Sequence, residues 1–401
     1  MKAVFKPFNV LLPNMSASLE KWAVVACDQY TSEHEYWESL KKYIGDDPSS
    51  LNLIIPEAYL KTIDIDSKIK EINANMTNLL KANFFSEYKR SFVLVERSTS
   101  QGSRLGLVGC IDLEEYDFSE DSTSLIRATE KTVTSRLPVR VKIRENAELE
   151  LSHIMLLIND EEKKIIEELA KIKYSFKNLY SFELNKNGGY IKGYLINDKT
   201  YIKNIQDSIE ALTKDGIVFL VGDGNHSLAS AKLHWENVKK NLSIEKRENH
   251  SARYAMVELV NIYDDSIHFE PIHRLILGAK GDFLIRLKQK VKGQYLSRAY
   301  EGAETLEMSM NANAIDAVKE VQSFIDEYIS ENEGVSVDYI HGEEALKNIC
   351  KETGGIGIVL PKVKKSDFFS YVAKNGIMPR KTFSIGEANE KRYYIEARKI
   401  K

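Results

Sequence analysis

The run Gly222-Asp223-Gly224-Asn225-His226-Ser227 concentrates chemically useful groups in one short stretch. Asp223 supplies a carboxylate for a cation or a proton, and His226 an imidazole whose ordinary pKa lies near neutrality. The apolar residues Ile217-Val218-Phe219-Leu220-Val221 before it read as a buried strand, and Ser227-Leu228-Ala229-Ser230-Ala231-Lys232-Leu233 after it contains good helix formers. A glycine loop between strand and helix leaves backbone N–H groups and the positive end of the helix dipole facing outward, which favours an anion. Gly222, Gly224, Asn225 and Ser227 are therefore candidate phosphate or nucleotide contacts; an ordinary turn with Ser227 as helix cap satisfies the same pattern. The run does not fit the Walker A spacing, and Ser227 stands where the dinucleotide-binding pattern needs its third glycine.

A second candidate is the cationic stretch from Arg127 to Arg144. From Arg136 onward its cations fall at even positions, Arg136, Arg140, Lys142 and Arg144, so an extended chain would present them on one face. Guanidinium groups so arranged suit bidentate phosphate contacts. The alternative is a salt-bridged edge strand neutralised by Glu145, Glu148 and Glu150. The alternation Glu148-Leu149-Glu150-Leu151 puts two carboxylates on one side, and such a pair can hold Mg²⁺ while substrate phosphates complete the octahedron. His153, followed by apolar residues 154–158, reads as a strand-edge histidine. The compact cluster Phe269-Glu270-Pro271-Ile272-His273-Arg274 adds His273 and Arg274 as further candidates.

These groups need elements to position them. The first 60 residues read as short extended pieces and turns, with 22–27 a buried strand ending at Asp28. Apolar spacing predicts helices over 66–82, 161–173, 205–214 and 227–240. Strands are expected over 91–96, 105–113, 217–221, 254–262 and 267–277, and Lys186-Asn187-Gly188-Gly189-Tyr190 reads as a hairpin turn. The final residues alternate helix 315–329, strand 335–340, helix 343–353, strand 355–360 and helix 366–374, a small α/β layer. The expected division is 1–120, 121–290 and 291–401, all of mixed α/β class.

At 401 residues the chain exceeds one ordinary core. A formal charge of −3, from 56 basic and 59 acidic side chains, gives no bulk attraction to nucleic acid or an anionic membrane. Cys27, Cys110 and Cys350 are scattered, outside any CxxC pair, and imply neither a disulfide framework nor a thiolate zinc site. No apolar run approaches the roughly 20 residues that span a bilayer, and the expected location is cytoplasmic. The oligomeric state is left open.

Taken together, Ala26-Cys27-Asp28-Gln29-Tyr30, Arg127-Ala128-Thr129-Glu130, Arg136-Leu137-Pro138-Val139-Arg140, the Gly222–Ser227 loop, Phe269-Glu270-Pro271-Ile272-His273-Arg274 and Met378-Pro379-Arg380-Lys381 resemble the domain-of-unknown-function family numbered 1015. The loop is also similar to the Asp-Gly-His-His-Arg signature of the ParB and sulfiredoxin superfamily, which includes nucleotide-binding proteins and free serine kinases. Asp223, Gly224 and His226 fit that signature; Asn225 replaces its first histidine and Ser227 its arginine, so Arg136, Arg140 or Arg253 must supply the missing charge. The resemblance implies a ParB/sulfiredoxin-like nucleotide-binding core with an additional mixed sheet and a C-terminal α/β layer. It also implies phosphoryl transfer from ATP or ADP with Mg²⁺ to a small hydroxylated metabolite such as serine. His226 or Asp28 would take the acceptor proton, and Asp223 with Glu150 would hold the metal. The alternative is a non-catalytic protein that binds a nucleotide or phosphometabolite and regulates a partner.

Overall fold

The computed structural model describes residues 3–401. The fold is mixed α/β and separates into two compact units. One comprises the chain up to Ala128, Thr132–Ile267 and Gly386–Lys401; the other comprises Thr129–Lys131 and His268–Ile385. These boundaries differ from the expected 1–120, 121–290 and 291–401. Residues just past 120 stay with the first unit because Ile126–Arg127 runs parallel between Tyr116–Asp117 and Phe219–Asp223. The last residues return to it because Ala397–Lys399 pairs with both Phe8–Pro13 and Leu149–Leu151.

The first unit is built on a mixed 13-stranded sheet. Along its middle, Phe219–Asp223 lies antiparallel to Met155–Ile158, which lies parallel to Tyr254–Asn261; Gly102–Asp112 and Phe85–Thr99 follow. Successive side chains of a strand point to opposite faces, and here both faces are apolar. Phe92, Leu94 and Leu107 join Phe5, Phe219 and Trp235 on one side, while Val93, Val95 and Val108 join Trp22, Ile72 and Met256 on the other. Phe5 stacks on Phe92 at 4.8 Å directly over Gly109, where a Cβ would come within 2.2 Å of the Phe5 ring. Flanking helices have conventional starts. Asp64 accepts N–H bonds at the head of Ile65–Lys81, and Asp198 does so for Lys199–Ala211. The expected hairpin forms between Lys177–Glu183 and Tyr190–Ile196.

The second unit has its own six-stranded antiparallel sheet, in the order Glu304–Met310, Tyr295–Glu301, Ile356–Ile358, Glu270–Leu277 and Ser336–His341, with Phe383–Ser384 beside Glu270–Leu277. Helices Phe283–Lys290 and Ala314–Glu331 supply Phe283, Leu287, Val321 and Phe324 to its core.

Three expectations are corrected. Residues 22–27 are buried, but as the end of a helical turn, Leu19–Trp22, and an irregular segment with one bridge at Val25. Burial without a paired strand produces the same apolar run. The amphipathic helix His34–Ile44, which buries Trp37, Leu40 and Ile44, stands where extended pieces were expected. The Arg136–Arg144 segment is not extended: Thr134–Arg136 forms a 3₁₀ turn and Leu137–Asn146 an α-helix. Pro138 explains the start, since proline is tolerated in a first helical turn and lacks the N–H that a strand needs. The helical period keeps Arg136, Arg140 and Arg144 on one face and turns Lys142 away, where it pairs with Asp66.

Candidate active site at the head of the 225–239 helix

The strand Phe219–Asp223 delivers the chain into a turn at Gly224, and the helix Asn225–Lys239 begins at the next residue. Gly224 has φ +77°, and a Cβ there would lie 2.8 Å from the Ile154 backbone. Both the handedness and the close approach require glycine. Asp223 turns back to accept the Gly224 N–H at 2.8 Å and faces Lys391 at 3.5 Å. The helix therefore begins beside an acid already engaged by the Gly224 N–H and by Lys391.

His226 is half-buried, and its Nε2 accepts the Val133 N–H at 3.2 Å. That bond assigns the proton of the neutral ring to Nδ1. Burial, then the positive charges of Arg140 and Arg136, hold its pKa below the ordinary histidine value against the opposing influence of Asp28 and Glu57. The ring therefore favours its neutral form at neutral pH. Arg140 is held in turn: it pairs with Glu57 and donates to the Arg136 carbonyl at 2.8 Å. Arg136 is exposed on the same helical face.

Asp28 approaches from the N-terminal segment and accepts an amide hydrogen bond from Gln29 at 3.0 Å. Burial pushes its carboxyl up, but His153, the Gln29 bond, Arg140 and Lys391 together outweigh burial and hold it below the usual carboxylate value. Ser227, one residue beyond His226, has its hydroxyl 2.9 Å from His153 Nε2. His153 is 6% exposed and meets the Tyr393 ring edge-on at 5.1 Å. Beside these groups lies a cavity of about 130 Å³, bordered by Cys27, Glu57, Arg140, Ser227, Ser230 and Tyr393. Burial and the Asp28 charge push the Cys27 thiol up to about 12, so it is a neutral wall residue.

The remaining sequence candidates stand elsewhere or are otherwise engaged. Glu150 is 3% exposed, pairs with Arg144 at 2.6 Å and with Arg398, and accepts the Met256 N–H at 3.2 Å. Burial raises its carboxyl, but the two guanidinium groups outweigh this and keep it ionised. Arg253 is locked on Asp112 at 2.7 Å. His273 and Arg274 belong to the second unit. His273 Nδ1 accepts the Leu360 N–H at 3.1 Å, and the fully buried Arg274 bonds Gln322 and the carbonyls of Ile272, Arg380 and Lys381. Among the described residues no group of three or more His, Cys, Asp or Glu side chains is arranged to hold a metal. The expected Asp223–Glu150 metal pair does not fit this arrangement, because each carboxylate is turned to cations of the chain.

One protein family, described as Protein of unknown function (DUF1015), matches residues 5–376. The chain belongs to this family. No curated protein matches it. Among solved structures, a mutant free serine kinase in complex with ADP is similar at 10% identity, over 69% of this chain and 86% of that one, with a TM-score of 0.37. A conserved hypothetical protein from Pyrococcus furiosus is similar at 11% identity, over 69% and 89%, with a TM-score of 0.34. SbnI with C-terminal truncation from Staphylococcus aureus follows at 10% identity, over 70% and 82%, with a TM-score of 0.36. No helix among the described residues is long and apolar enough to cross a membrane.

Three participants escape sequence reasoning, and a fourth was read without its partner. Glu57 and Lys391 carry no motif, and only the fold brings them to Arg140 and Asp223. Tyr393 sits in a segment that returns from the far end of the chain. His153 had a signal, a histidine at the start of an apolar strand, but nothing in the sequence identifies Ser227 as its partner.

Proposed function

We propose that this family member is a nucleotide-dependent phosphoryl-transfer enzyme acting on a small hydroxylated metabolite such as serine. The observation that carries the reading is the nearness of Arg136, Arg140 and Asp28 to His226 at the head of the 225–239 helix. Phosphoryl transfer asks a protein chiefly for position and charge stabilisation. Amides of His226 and Ser227 at the helix head and the two arginines receive the phosphate oxygens. His226, neutral with its proton on Nδ1, donates to one of them, and it has no other partner for that proton among the described residues. Asp28, ionised and accepting, takes the proton of the acceptor hydroxyl. With Glu150 held by Arg144 and Arg398, no step is assigned to a protein-held metal.

The test is titration of ATP, ADP and phosphoserine into the protein and into Arg140→Ala, followed by an assay of phosphate transfer to serine and other small alcohols. Truncating a desolvated guanidinium–phosphate contact costs about 2 to 5 kcal/mol. The phosphorylated ligands should lose that much and unphosphorylated serine far less. Equal losses would make Arg140 a structural partner of Glu57. Saturable nucleotide binding with no transfer to any acceptor would replace the enzyme by a regulatory binder.

A further inference from the structure

Ser227 replaces the arginine of the related signature, and the fold gives it a different kind of neighbour. Its Oγ lies 2.9 Å from His153 Nε2, within the range over which a hydroxyl passes its proton to an imidazole. His153 is buried with only 6% exposure, fixed by the edge of Tyr393, and close to the carboxylate of Asp28. Ser227 itself is half-buried at the first turn of the helix and borders the 130 Å³ cavity. A serine, a histidine aimed at it, an acid beside the histidine and helix-head amides next to the hydroxyl form the constellation that generates serine nucleophiles on unrelated folds.

We propose that Ser227 is a nucleophile activated by His153, and that it carries the phosphoryl group covalently between donor and acceptor. This rests on the phosphoryl-transfer reading above. In the first half, Ser227 Oγ bonds to the terminal phosphorus of the nucleotide while its proton passes to His153 Nε2. The bond from that phosphorus to the bridging oxygen breaks, and its electron pair leaves with the shortened nucleotide. The negative charge of Asp28 stabilises the imidazolium formed. In the second half, the acceptor hydroxyl attacks the phosphoserine and gives its proton to Asp28. The Oγ–phosphorus electron pair returns to Ser227, which recovers its proton from His153.

Two measurements on the full chain separate this from the reading on which it rests. A fluorophosphonate probe reports a nucleophilic serine whether or not nucleotides are used. The expected result is saturable modification of Ser227, located by peptide mass spectrometry, abolished in Ser227→Ala and slowed about 100-fold in His153→Asn, the scale of losing a general base. Incubation with ATP or ADP should then leave phosphoserine at position 227 that is discharged by the acceptor. Absence of probe labelling at Ser227 in the unaltered protein overturns the proposal without reference to any variant's folding. Phosphate transfer that survives intact in Ser227→Ala also overturns it, while upholding phosphoryl transfer. Probe labelling without transfer from any nucleotide removes the phosphoryl carrier and its parent reading and leaves only the activated serine.

Discussion

His226 accepts the Val133 N–H through Nε2, and in the proposed mechanism its Nδ1 proton goes to a phosphate oxygen. The substitution His226→Gln puts a carbonyl oxygen within reach of the Val133 N–H while removing the imidazole. Nucleotide affinity should change little and phosphate transfer should fall by about 100-fold, the effect of losing one preorganised donor to developing charge. Transfer per folded molecule equal to that of the parent would remove His226 from the mechanism. The pH dependence follows from the same geometry. Because burial, Arg140 and Arg136 lower the His226 pKa, the neutral ring persists below the pH at which an ordinary histidine charges. Below its pKa the imidazolium can no longer accept from Val133, and the loop loses that tether. Arg136 is exposed and dispensable for packing, so Arg136→Ala should shift the acidic limb of transfer toward higher pH; a shift toward lower pH would contradict the assignment.

The strand–turn–helix of 219–239 is the element on which the site depends, and its core components were legible. Apolar residues 217–221 and the helix formers after Ser227 placed strand and helix within two residues of their observed bounds, and two glycines marked the turn. Gly224→Ala must force φ +77° on a residue with a Cβ and drive that Cβ against the Ile154 backbone. The left-handed conformation alone costs about 1 to 2 kcal/mol. Denaturant unfolding should therefore show a loss of at least about 2 kcal/mol, and an unchanged midpoint would mean that the loop is not in this conformation. The 137–146 helix was not legible as such, because cations at positions 136, 140, 142 and 144 satisfy a period of two as well as one of four. Pro138 was the discriminating residue. Within the 225–239 helix, His234 is 6% exposed with an unpartnered Nδ1, and burial followed by the Arg144 and Lys401 charges lowers its pKa to about 4. The unfolded chain then binds a proton that the native helix refuses, so stability from this group is complete above about pH 6.5 and declines as pH falls toward about 4. Roughly 2 kcal/mol should be gone by pH 5. His234→Gln should flatten that part of the stability profile, and an unaltered profile would show that His234 does not set it.

Across the whole molecule, sequence patterns located most helices and strands but not the way the chain closes. The division into units turns on Ile126–Arg127 and Ala397–Lys399, strands too short for periodicity to reveal. The same long-range closure brings Asp28, Glu57, Lys391 and Tyr393 to residues near 140, 153 and 223, and of these only Asp28 had a sequence signal. The central claim is that these distant segments form one phosphate and nucleotide site at the head of the 225–239 helix. Amide hydrogen exchange over the full chain, with and without saturating ATP or ADP, tests it most directly. The account predicts protection concentrated in residues 222–230, 133–140 and the segment around Asp28, and weakened by Arg140→Ala. Protection confined to other parts of the chain, or none at nucleotide concentrations that saturate binding, would contradict it.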